Sequence, residues 1–191
     1  RPLHLNELLR AIEKRVMKQK ANHLVHRIAK ELVQGMPLAG FEGEVIVVDR
    51  AEQVPEAMAY LNKQTIVGVD TEARPSFARG VHYPTALVQI ATDERCYLFR
   101  TNKIGMPQAL CDFFANKQIC KVGLAFKDDL NGLRRLHGFT PKNCIDIQKI
   151  CGQYGILDLG LQKMFAICFG KKISKSQQLT NWENETLTPE Q

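Results

Sequence analysis

The sequence predicts an α/β fold, a mixed β-sheet flanked by helices, preceded by a helical arm. Three observations carry this reading. Short apolar runs rich in β-branched residues recur between residues 45 and 147. Segments with three-and-four apolar spacing lie between them. Two of the runs are joined by only Asp93-Glu94-Arg95, short enough for a hairpin, whereas the later runs are separated by whole helices, as parallel strands require. At 191 residues, 45% apolar and 24% charged, the chain suits one domain with an appendage. That composition excludes a disordered tail, a collagen-like chain and a small disulfide scaffold.

Residues 1–35 read as a basic helical arm, with a helix predicted over 3–34. Leu5, Leu8, Leu9, Ile12 and Val16 step by three and four, as do Leu24, Ile28 and Leu32. The arm holds eight Lys/Arg and three acids, a net +5 of the chain's +6. Its apolar stripe suits packing on the body or on a second copy of the chain, and its basic faces suit phosphate contact. Gly35-Met36-Pro37 breaks the helix. With the charge so placed, the pI of about 9.0 describes the arm, and the nearly neutral body gives no electrostatic clue to its partner.

The body, residues 36–191, alternates. Val45–Val48 is a strand, Ala51–Asn62 a helix, and Thr65–Asp70 a buried strand. Ala86–Thr92 and Cys96–Arg100 are strands of an antiparallel three-strand start. Pro107–Asn116 is a helix opened by proline, Lys121–Phe126 a strand, and Asp128–His137 a helix stopped by Gly138. Cys144–Ile147 is a short strand and Leu157–Phe169 a last helix, which Asp158 is expected to cap. The pattern is that of a ribonuclease H-like core. No glycine-rich phosphate loop is present.

Cysteines 96, 111, 120, 144, 151 and 168 form no C-x-x-C pair and sit in apolar runs. Buried reduced thiols are expected, and with them an intracellular, cytoplasmic location. No stretch has the roughly 18 apolar residues of a membrane span, and no membrane partner is expected. The five histidines show no ligand spacing and no serine or cysteine partner for acyl transfer.

The chemistry lies in carboxylates. Thr65-Ile-Val-Gly-Val-Asp70-Thr-Glu72 runs an apolar strand into two acids. A period of two puts Asp70 and Glu72 on one face. So close, they repel unless a cation sits between them, and a hard divalent ion is the natural partner; two solvated loop acids are the alternative. A second strand ends in Asp128-Asp129 at a helix start. Asp128 reads as a cap or solvent-facing residue. Asp129, beside Leu130 and Leu133, reads as the ligand. Three acids from two strand ends suggest a magnesium or manganese site for phosphoryl transfer. Asp146 reads as structural.

These motifs resemble the RNase D and Werner-type 3′→5′ exonucleases, the DEDD nucleases of the tyrosine subtype. The first is Val69-Asp70-Thr71-Glu72 with Arg74-Pro75-Ser76. The second runs from Val122-Gly123 to Asp129-Leu130. The approach to the third is Leu159–Met164, then Lys175–Trp182 and Leu187–Gln191. The likeness covers about residues 41–191. It implies two metal ions roughly 4 Å apart, with Asp70 bridging both. Glu72 would bind one and orient the attacking water, and Asp129 would hold the second through water. Mononucleotides would leave one at a time from the 3′ end of DNA or RNA. The family's tyrosine, and an aspartate four residues after it, should follow directly on Gln191. The sequence therefore carries three of four implied carboxylates, as a domain lacking its C-terminal motif, and weak or no activity is expected.

Gln89, mid-strand in ALVQIAT, reaches either the substrate or a neighbouring strand. Trp182 stacks on a base or packs under a loop. Lys175, with Lys171 and Lys172, contacts backbone phosphate or lies in a solvated turn. The rival readings are a catalytically impaired nucleic-acid-binding or assembly module, and another metal-dependent phosphoryl-transfer enzyme on the same core.

Overall fold

The computed structural model describes residues 4, 5, 7–11, 27–174 and 180–191. Its six strands are β1 (Glu44–Val48), β2 (Ile66–Ala73), β3 (Thr85–Ala91), β4 (Arg95–Phe99), β5 (Cys120–Gly123) and β6 (Cys144–Asp146). They form one sheet in the order β1-β4-β3-β2-β5-β6. The hairpins β2-β3 and β3-β4 are antiparallel, and β5 and β6 join in parallel. This is the predicted ribonuclease H-like sheet. The antiparallel group is β2 to β4 only. β1 is an edge strand that pairs with β4 in parallel, across the 3₁₀ turn Ala51–Gln53 and helix α2.

The described helices are α1 (Lys30–Gln34), α2 (Val54–Leu61), α3 (Thr101–Ile104), α4 (Gln108–Ala115), α5 (Phe126–Leu136), α6 (Ile147–Ile150) and α7 (Leu161–Phe169). One face of the sheet supplies Val67, Val69, Val88, Ile90, Tyr97 and Phe99 to a core completed by α2, α4 and α5. Strand alternation sends Asp70, Glu72, Gln89, Cys96 and Leu98 to the other face.

Several expectations are corrected. The helix predicted over 3–34 is not continuous. Residues 7–11 are helical, but 27–29 belong to no helix, Ala29 is extended, and α1 starts only at Lys30. Leu5, Leu8 and Leu9 pack inside the fold against Val122, Ile147, Cys151 and Met164. That part of the stripe is spent on the body and is closed to a second copy. Asp158 does not cap the last helix. It accepts the Ile28 amide at 2.8 Å, and α7 begins later, behind Gly160, with no side-chain cap. The non-helical segment at Ile28 thus satisfies its amide on the body instead of in a helix.

β5 also stops at Gly123, short of the predicted Phe126, and α5 begins two residues before Asp128, at Phe126. Phe126 is the reason. As a helix residue its ring is buried in the core, a gain of roughly 2–3 kcal/mol over exposure. The ring lies over Gly123, where a Cβ would fall 2.2 Å from Phe126 Cγ. The reversal needs Ala125 in the left-handed region, φ 51°. Asp146 stabilises it by accepting the amides of Ala125, Phe126 and Gln148, each at 3.1 Å. Asp146 is structural, as read. The cysteines are all free thiols. No helix among the described residues is long and apolar enough to cross a membrane.

Asp146→Ala leaves three amides without their acceptor. We predict a loss of about 2–3 kcal/mol, read as a lower urea midpoint, with Asp146→Asn retaining part of it. An unchanged midpoint contradicts the role.

Candidate active site

β2 pairs with β5 only from Ile66 to Gly68. Beyond that β5 turns through Leu124 and Ala125 into α5, so residues 70–73 have a strand partner on one side alone. On that side Asp70 stands opposite Gln89 and Glu72 opposite Leu87. Asp70, Glu72 and Gln89 line a cavity of about 510 Å³. Its far wall comes from Leu124, from 160–162 and 173–174, and from Trp182 with Pro189–Gln191. Asp70 Oδ1 accepts the Thr71 amide at 3.0 Å.

Asp129 meets the same strand end from α5. Thr71 alternates to the opposite face of β2, the face of Val67 and Val69 against which α5 packs. Its hydroxyl donates to Asp129 Oδ1. Asp129 is absent from the lining of the Asp70–Glu72 cavity. The two groups therefore flank the strand end, with Thr71 between them. Burial pushes the Asp129 carboxyl up to about 7; the Thr71 hydrogen bond opposes the shift, and the charge of Asp70 adds to it. Asp128 is exposed and faces solvent.

The oxygen-only donor set fits a hard divalent cation at Asp70 and Glu72. Among the described residues no three His, Cys, Asp or Glu side chains converge to hold one.

Of the other expectations, Gln89 is 5% exposed and lies in the cavity wall. Trp182 is 2% exposed and packs against Ala86, Leu87, Ala91 and Leu98. Its base-stacking reading is corrected, because the ring is a buried part of the wall. Arg100 holds it there. The wholly buried guanidinium donates to the carbonyls of Glu185 (2.8 Å), Asn184 and Trp182. The sequence reading missed Arg100; its place at the end of an apolar strand was the available signal. Lys172 donates to Gln34 O at 2.6 Å. Lys175 lies outside the described residues.

The raised Asp129 carboxyl sets a pH test. The folded chain holds its proton up to about pH 7 and the unfolded chain only to about its ordinary value of 3.8. Stability therefore falls as pH rises through that window. We predict that Asp129→Asn, in chelator at pH 8, gains about 1–2 kcal/mol after solvent screening, roughly 3–6 °C in thermal midpoint. The difference shrinks toward pH 4. A variant less stable than wild type at pH 8 contradicts the assignment.

Comparison with known proteins agrees with this architecture. The chain is 26% identical over 166 residues to exonuclease 3′-5′ domain-containing protein 2 of Mus musculus, covering 78% of this chain and 25% of that one. It is 26% identical over 147 residues to ribonuclease D of Desulfotalea psychrophila, covering 76% and 39%. It thus spans well under half the length of these two relatives. The catalytic core of RRP6 from Trypanosoma brucei superposes with a TM-score of 0.70 at 20% identity, covering 91% of this chain and 48% of that one. A 3′-5′ exonuclease family model matches residues 45–191, and on that match the chain belongs to the 3′-5′ exonuclease family.

Proposed function

We propose that the domain hydrolyses the terminal phosphodiester bond at the 3′ end of a nucleic acid, releasing nucleoside 5′-monophosphates one at a time. The observation that carries this reading is the pairing of Asp70 and Glu72 at an open strand end, inside a cavity sized for about one nucleotide. Two carboxylates on one strand face repel each other and attract a divalent cation. Bound magnesium or manganese, two ions in the full site, supplies Lewis-acid polarisation of the phosphate and a more acidic water.

The chain's own residues do the rest. Asp70 and Glu72 would hold the ions, and Glu72 would orient the water that attacks phosphorus as the bond to the 3′ oxygen breaks. Asp129, held by the Thr71 hydroxyl, would add negative charge at the same strand end. Gln89, beside Asp70, supplies an amide to the nucleotide. Leu98, Leu161 and Ile173 give the cavity apolar walls that exclude water from the reacting bond. The relative named ribonuclease D supports RNA as one substrate. The six free thiols support a reducing, cytoplasmic setting.

One observation favours the second reading, a binding module on the same fold: among the described residues no three His, Cys, Asp or Glu side chains converge on one ion. A single assay separates the two. With manganese and a 5′-labelled oligonucleotide, we predict a ladder of products shortened from the 3′ end. Asp70→Ala slows it by more than roughly 100-fold, beyond what loss of an outer-shell partner costs. Binding of the oligonucleotide without any Asp70-dependent shortening supports the module and sinks the nuclease.

A further inference from the structure

Two residues past Glu72 the chain leaves β2 for the loop of residues 74–84. This loop carries exposed apolar side chains. Phe77 is 86% exposed, Val81 41% and Tyr83 37%. A single exposed apolar residue is ordinary, but these three border one open cavity of about 620 Å³, with Arg74, Pro75 and Asn181. The Arg74 guanidinium lies over the Tyr83 ring, 4.9 Å from its centroid, and 4.0 Å from Glu183. Residues 74–83 contain Arg74, Arg79 and His82 and no acid. Aromatic faces interleaved with cations are what a single-stranded nucleic acid requires: rings for its bases and positive charge for its backbone.

The location names the occupant. Asn181 borders this cavity and its neighbour Trp182 borders that of Asp70 and Glu72, so segment 181–182 is a wall common to both. A strand whose last nucleotide fills the first cavity passes its preceding nucleotides over the second. We propose that Phe77, with the Arg74–Tyr83 pair, forms a stacking platform for the unpaired bases that precede the 3′-terminal nucleotide. The proposal rests on the exonuclease reading above and adds to it the residues that hold the bases upstream of the reacting nucleotide.

The test is fluorescence anisotropy of labelled oligouridylate and oligothymidylate, two to eight nucleotides long, with calcium in place of magnesium to withhold turnover. Wild type is expected to bind four-nucleotide and longer strands more tightly than the dinucleotide. Phe77→Ala weakens the longer strands about tenfold and leaves competition by a mononucleotide unchanged, and Phe77→Trp restores the affinity. Phe77 is solvent-exposed, so an unaltered thermal midpoint verifies that the variant folds. If strands bind and Phe77→Ala changes nothing, the platform is wrong and the exonuclease reading stands. If wild type binds no strand of any length, both fail. If Phe77→Ala alters the sedimentation of the free chain but not its strand affinity, the patch serves self-association and the platform is overturned.

Discussion

The mutual repulsion of carboxylates at the end of one central strand is the constraint around which the domain is arranged. Asp70 and Glu72 share a face of β2, and Asp129 sits behind it with its proton affinity raised by burial and by Asp70. Folding such charges together costs free energy. The sheet topology limits that cost by leaving the strand end open. β5 stops pairing after Gly68 and diverges into α5, so water or ions can reach the pair. The divergence of parallel and antiparallel neighbours on either side of β2 makes the crevice, as switch points do in open α/β sheets.

Holding the third carboxylate near that crevice depends on a tight strand-to-helix turn. Gly123 gives space for the Phe126 ring, Ala125 takes the left-handed conformation, and Asp146 from the adjacent β6 accepts the first amides. Asp129 then falls one turn into α5, within reach of the Thr71 hydroxyl. A residue with no chemistry of its own thus sets the position of one that carries charge. The same logic applies to Arg100, whose buried guanidinium ties down the segment closing the opposite side of the cavity.

What was legible in the sequence was local and periodic. The run TIVGVD followed by Thr71-Glu72 shows both the strand and the shared face of its acids, and the hairpin through 93–95 is written in its length. What was not legible depends on contacts across the chain. Phe126 reads as the end of a strand because it continues an apolar run, and only the core packed by α5 draws it into the helix. Asp158 looks like a cap because it precedes apolar spacing, but the Ile28 amide, 130 positions away, claims it. The periodicity of 3–34 suits a long helix, yet the backbone is non-helical at 27–29, where the Ile28 amide bonds to Asp158. The three carboxylates were visible as a set; that Thr71 separates one from the other two follows from the packing of α5 on the far face.

The account turns on Asp70 and Glu72 acting together as a cation site. Calorimetric titration of manganese into the 191-residue chain tests this most directly. The account predicts saturable binding that Asp70→Asn abolishes or weakens by more than tenfold, with Asp128→Asn, on the exposed face of α5, behaving as wild type. Equal manganese binding by wild type and Asp70→Asn would contradict it.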